Sequence, residues 1–276
     1  MEKQSAGTTT SEPIRVGAAG PTQGPVPPWW RRARPVERLC YATGGLLIVS
    51  GLLHLMVFAV DGGPWDGPVS WRKPITFGVS FGLTLIALCW VASYLRMTTR
   101  ARTVLLALFA ADCVLEVAGI TLQAWRGVPS HFNMETPFDT AVSMALAVGG
   151  GVLVVILTGL AVASFVRRPD GPTGMALALR AGFAILLLAL VSGAVMIARG
   201  VYLTRTGHQS AAYDSTASLK PLHAVGLHAI AVLPLLAGAM ARTPWSDRTR
   251  RTVVRAAVGC YTAAVCGALV WAVVAY

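Results

Sequence analysis

Asp112 and Glu116 stand four residues apart inside one apolar run, and Ser50 and His54 do the same inside an earlier one. On a helix that spacing stacks side chains on one face. His223 and His228 share a later run at a spacing of five, about 140° apart at about 100° per residue, too far round to chelate one ion together. Imidazole and carboxyl groups exchange protons near neutral pH when their surroundings tune them. Each also costs at least about 2.5 kcal/mol in hydrocarbon unless paired or hydrated. Such groups suit proton or ion handling. An imidazole opposite a thioether, such as His54 and Met196, would also suit a haem.

The stretch "RGVPSHFNMETPFD", residues 126–139, is the polar centre of an otherwise oily middle. Thr136, Pro137 and Asp139 fit an N-cap, a first-turn proline and an acidic third position opening the next helix. Arg126 closes the preceding helix, where snorkelling to headgroups would suffice for it. His131 and Asn133 have no such simple role and become candidates for the lid of a site, with Lys73 of "RKP" beside them on the same side. The expected ligand- or proton-handling set is therefore Ser50, His54, Lys73, Asp112 and Glu116, with Arg126, His131, Asn133, His223 and His228.

The elements that must position these residues are membrane spans. The chain has 276 residues, 55% of them hydrophobic and 13% charged, with a mean hydropathy of +0.62. One aqueous core cannot hide that much apolar surface. Its apolar blocks reach the roughly 20 residues a bilayer crossing needs. Seven are expected, at about 39–60, 75–95, 103–125, 140–166, 175–199, 221–241 and 252–275. The fold class is thus all-α integral membrane, residues 37–276, after a Gly/Pro/Ser/Thr-rich tail at 1–36 expected to be disordered and cytoplasmic. Trp29 and Trp30 would anchor that tail at the headgroups.

The formal charge of +11 is distributed by topology. Fifteen Lys and Arg fall before span one and after spans two, four and six, whereas six fall in the three other connections. The positive-inside rule then puts the N-terminus in the cytoplasm, the C-terminus outside and the polar site outward, in a plasma (inner) membrane. Nucleic acid is not an expected partner; the lipid bilayer is, with a small solute or ion. Counting residues from the basic ends puts His54 and Glu116 roughly 6–9 Å, and His228 roughly 10 Å, below the outer boundary of a ~30 Å core. Asp112 falls near its middle. The five cysteines lie in or at the ends of spans with no C-x-x-C, and read as small buried hydrophobes.

A parallel 3+1+3 repeat is suggested by "IVSGLLHLM" with "LVSGAVMIA", "RKP" with "LKP", and "RARTVLLA" with "TRRTVVRA". In helix count this plan resembles the SWEET and PQ-loop transporters, although no Pro-Gln motif is present and the expected N-terminus is inside. "WRKPITF" and "QAWRGVPSHFNMETPFD" resemble a recurring group of bacterial multi-span proteins. That resemblance implies Lys73, Arg126, His131 and Asn133 as site residues and brings no substrate, cofactor or mechanism. Ser50…His54, Asp112 and His223…His228 resemble in kind the seven-span zinc hydrolases of the alkaline ceramidase and adiponectin receptor type, with one residue too many between the last two histidines. Three functions stay open: a small-solute or proton/ion-handling transporter, a haem- or metal-dependent membrane redox protein or hydrolase, and a non-catalytic membrane partner.

Overall fold

The structure is a computed structural model and describes residues 33–215 and 217–275. The expected tail lies almost wholly outside the described residues, as do Trp29 and Trp30. Helix α1 begins at Pro35, inside the expected tail. The described elements are α1 (Pro35–Asp61), α2 (Arg72–Ala92), α3 (Thr99–Trp125), α4 (Pro137–Val166), α5 (Met175–Arg205), the short α6 (Gln209–Asp214), α7 (Lys220–Met240) and α8 (Asp247–Val274). All but α6 are long and apolar enough to cross a membrane. Their large exposed apolar side chains, among them Leu46, Met56, Val155 and Val274, are the surface a bilayer would cover.

Helix starts follow local chemistry. Thr98 and Ser246 accept backbone N–H bonds from Ala101 and Thr249, which caps α3 and α8 alike. Thr136 accepts from the Asp139 amide and Pro137 occupies the first turn, so α4 opens as its sequence indicated. Helix α7 runs as one element from Lys220 to Met240 although it contains Pro234. At the far end of α4, the Arg180 side chain of α5 donates to the carbonyls of Ser164 and Phe165, satisfying groups a helix terminus leaves open.

Packing is led by two tight pairs, α1 with α2 and α5 with α7. In the first, a Cβ on Gly78 would lie 2.8 Å from Gly51 Cα, and one on Gly82 would crowd the Gly44 carbonyl. In the second, a Cβ on Gly226 would lie 2.7 Å from that of Ala189. Small residues permit such backbone approach, the means by which helices associate in lipid. The third helix of each trio, α3 or α8, packs on both members of its pair, and α2 meets α7 between the trios. The trios differ in burial: α3 is extensively buried, whereas α8 buries Val254, Val265 and Ala272. Cys260 and Cys266 of α8 are consequently exposed, unlike the buried Cys40, Cys89 and Cys113, which corrects the reading of all five as buried.

The end carrying the start of α1 is held by ion pairs. Glu37 of α1 lies 3.7 Å from the buried Arg102 of α3, whose guanidinium also donates to the Leu95 carbonyl. Arg96 donates twice to Asp170, tying the α2–α3 loop to the α4–α5 loop. Gly78→Leu is expected to force α1 and α2 apart, lowering stability by about 1–3 kcal/mol. Gly259→Leu, at an open position on α8, is expected to leave stability unchanged or raised. Thermal denaturation of both variants in detergent checks this contrast.

Candidate functional site

The polar side chains of α3 divide between two faces. Asp112, Glu116, Gly119 and Gln123 follow the i, i+4, i+7, i+11 rule for one stripe, and this stripe meets α4. Trp125 is nine residues past Glu116, about 180° away at about 100° per residue, and turns to α1.

The carboxyl stripe is built around Gly149. Asp112 and Glu116 are 6% and 4% exposed. A Cβ on Gly149 would lie 2.8 Å from Glu116 Oε1 and 2.9 Å from Asp112 Oδ1, so both carboxyls press on one point of the α4 backbone. The three-glycine run at 149–151 thus has a specific use: its first residue makes the carboxyl niche. No ion pair among the described residues reaches either carboxyl. Asp112 Oδ2 is fully buried without a hydrogen-bond partner there. Such an oxygen is costly in hydrocarbon and marks a place for a proton, a water or a cation.

Toward the polar loops the seam is plugged and then polar again. Leu146 fills the space beside Gly119, where a Cβ would lie 2.9 Å from its Cδ2. About two turns on along α4, Asp139 is 2% exposed and holds the upper end of the seam. Its carboxylate accepts from Gln123 at 2.9 Å, from Thr136 at 2.6 Å and from Arg126 at 2.5 Å. Arg126 therefore folds back onto α4, over the Phe138 ring, where headgroup snorkelling had been one expectation. Asp139 is both a helix-starting residue and the buried anion of a pair whose arginine stays partly exposed.

The loop after α3 is anchored on α4. Asn133 is fully buried; its backbone N–H donates to Ser143 Oγ at 3.2 Å, and that hydroxyl donates to the Asn133 carbonyl at 3.0 Å. Asn133 Oδ1 accepts from the Glu135 amide, while Nδ2 is buried with no partner among the described residues. Phe132 adopts φ 60°, a left-handed conformation that costs a bulky residue, and its ring occupies the space that Gly200 leaves on α5. Between this loop, α4 and α5 lies a cavity of about 10 Å³, lined by His131, Phe132 and Ser143 and large enough for about one water. Half-buried His131 has Ser130 Oγ 2.9 Å from Nδ1. Burial, and secondarily the charge of Lys73, lowers its pKa to about 4. Lys73 itself donates to the Pro68 carbonyl and lies near enough to Lys220 of α7 for their charges to interact. The lysines of "RKP" and "LKP" are thus within electrostatic range of each other.

The histidines inside spans are engaged elsewhere. His54 Nδ1–H donates to the Ser50 carbonyl at 2.7 Å, and Nε2 accepts from Trp125 Nε1 at 3.0 Å. Trp71 packs against both rings, completing an aromatic cluster between α1, α2 and α3. Ser50 contributes its backbone to this arrangement. His223 donates to the Ala189 carbonyl of α5 at 2.8 Å, its ring seated on Gly193. His228 is exposed on α7 and donates to the Ala224 carbonyl of its own helix. The expected meeting of His54, Glu116 and His228 in one cavity is therefore not formed. His54 lies on the α1 side of α3, Glu116 on the α4 side and His228 on the bundle's exterior. Similar depth along the spans said nothing about azimuth.

Among the described residues no three His, Cys, Asp or Glu side chains gather into a metal-holding group. No family model, curated protein or solved structure matches the chain. Gln123, Trp125, Ser143 and Lys220 join the site or its supports without having been singled out from sequence. Gln123 was findable, because it continues the stripe of Asp112 and Glu116.

Two outcomes are expected. Asp139→Ala should cost on the order of 2 kcal/mol, through the lost cap and charge-assisted bonds, read as a fall in Tm. His131 binds its proton less readily folded than unfolded, so stability should fall as pH drops from about 6.5 toward its folded value of about 4. The difference in Tm between His131→Gln and the parent should therefore grow in the variant's favour over that window; a pH-independent difference would count against the assignment.

Proposed function

We propose that this polytopic membrane protein handles protons, as a proton-coupled transporter whose relay is the Asp112–Glu116 pair at the α3–α4 seam. One observation carries this reading: two carboxyls gathered beside Gly149 in the apolar interior, one with a fully buried oxygen, and among the described residues neither a partner for that oxygen nor an ion pair to either carboxyl. Charge balance in such a place demands a proton or a cation, and membrane carboxylates of this kind commonly serve relays.

The upper seam supports a directional path. Glu116 and Gln123 are seven residues apart, about 10 Å along the helix, with Leu146 packed between their levels. A shift of Leu146 would let water join the carboxyl pair to the Gln123–Asp139–Arg126 group. Leu146 is the gate in this reading, and Gly149 is the residue that lets the carboxyls sit against α4.

The haem reading has less support, because both ring nitrogens of His54 are engaged and His228 faces outward. The zinc-hydrolase reading has less as well, since Asp112 faces α4 while His223 is bonded to α5.

Purified protein in liposomes carrying an internal pH dye provides the test. An imposed pH gradient under a valinomycin-clamped potassium potential is expected to drive proton entry. Asp112→Asn and Glu116→Gln should each slow that entry at least tenfold, while His228→Gln leaves it unchanged. Entry that survives both carboxyl substitutions at the parental rate would end the proposal, as would protein that admits no protons beyond empty liposomes across a panel of small solutes.

A further inference from the structure

The opposite end of the bundle carries arginines that form no ion pair among the described residues. Arg168 of the α4–α5 loop and Arg251 and Arg255, one turn apart on α8, line a cleft of about 300 Å³ with Gly174 and Leu177. That volume lies at the lower end of the range for small-molecule sites. All three arginines are exposed. The ion pairs nearby, Arg96 with Asp170 and Arg250 with Asp247, use other guanidinium groups. Arg248 extends the positive wall into an adjoining open cleft, and the acid on that wall, Asp247, lies 3.4 Å from Arg250.

The backbone adds potential of the same sign. Helix α5, 31 residues long, starts at this cleft with Gly174 as its N-cap at φ 91°. Gly174 brings no side-chain cap, and of the first-turn amides that of Met175 donates to the Pro172 carbonyl. A Cβ at Gly174 would lie 2.9 Å from Val254 Cγ2, so the start of α5 is pressed against α8 between the levels of Arg251 and Arg255. Three arginines and a helix N-terminus thus border one space. Gathered cations repel one another, and an anion between them relieves that cost. Guanidinium favours phosphate through paired N–H bonds of fixed geometry. Leu177, 40% exposed, forms an apolar wall of the same cleft, and Phe165 and Val166 are exposed just before the loop. An acyl chain could lie along those surfaces while its headgroup occupied the cleft.

We propose that this cleft binds a phosphate group, supplied by an anionic phospholipid headgroup or by a soluble phosphate, through Arg168, Arg251 and Arg255 over the start of α5. It is separate from the carboxyl seam and does not depend on proton handling.

The test uses the full chain in phosphatidylcholine nanodiscs, with phosphatidylglycerol titrated into the lipid in one arm and inorganic phosphate into the buffer in the other, and Tm as the readout. A rise in Tm is expected, and R251Q/R255Q should need at least about tenfold more of the anion for half the effect, since it loses two charge-assisted contacts. R251K/R255K should recover part of the response. R100Q, at the same end but outside the cleft, should respond like the parent. A rise with phosphatidylglycerol alone assigns the site to a lipid headgroup, whereas a rise with inorganic phosphate assigns it to a soluble anion; both support it. Equal responses from R100Q and R251Q/R255Q would reduce the effect to diffuse surface charge and overturn the proposal, as would no rise in either arm.

Discussion

A polar group inside hydrocarbon must find its partner within the protein, and the two faces of α3 show how this chain meets that demand. On one face Trp125 gives its indole N–H to His54, so an imidazole is satisfied by one carbonyl and one ring donor. On the other, Gln123 and Arg126 complete the Asp139 carboxylate. Lower on that second face the rule is broken. Asp112 keeps a buried oxygen without a partner among the described residues, at a cost of roughly 1–3 kcal/mol. Other buried polar atoms also lack a partner among the described residues, Asn133 Nδ2 and Thr121 Oγ1 among them, but Asp112 is the carboxyl in this position, and a carboxyl oxygen is where a proton or a cation belongs.

Glycine decides where helices come close enough for this to matter. Gly51 and Gly78 bring α1 and α2 backbones together, Gly226 does the same for α7 against α5, and Gly149 admits two carboxyls rather than a helix. These positions differ in consequence. The first three set the packing of the two trios, while the last sets what can happen between α3 and α4. The same residue type thus provides both adhesion and a niche, depending on whether a neighbour is backbone or an ionisable side chain.

The two ends of the bundle divide their charge. At the loop end Lys73 lies within electrostatic range of both Lys220 and His131. At the other, Arg102 is buried against Glu37, whereas Arg168, Arg251 and Arg255 face an open cleft. Cations that looked alike when counted for topology therefore have distinct situations: some are structural ion pairs, some surround a cleft, and one, Arg180, closes the end of a neighbouring helix. Net charge records none of this.

The amino-acid sequence alone determined the helical membrane class, because apolar blocks long enough to cross a bilayer admit few other folds, and it marked the ends of those blocks through local signals such as Thr136-Pro137-Phe138-Asp139. It also singled out Asp112 and Glu116, since a carboxyl in such a block is anomalous wherever it points. Depth along a span was legible by counting residues. Which way each side chain faces was not, because azimuth depends on which helices become neighbours. That dependence separated His54, Glu116 and His228, and it brought Gln123, Gly149 and Asp139 to the seam. Tertiary structure made those choices through glycine contacts between residues far apart in the chain, and no local pattern encodes a distance between two helices.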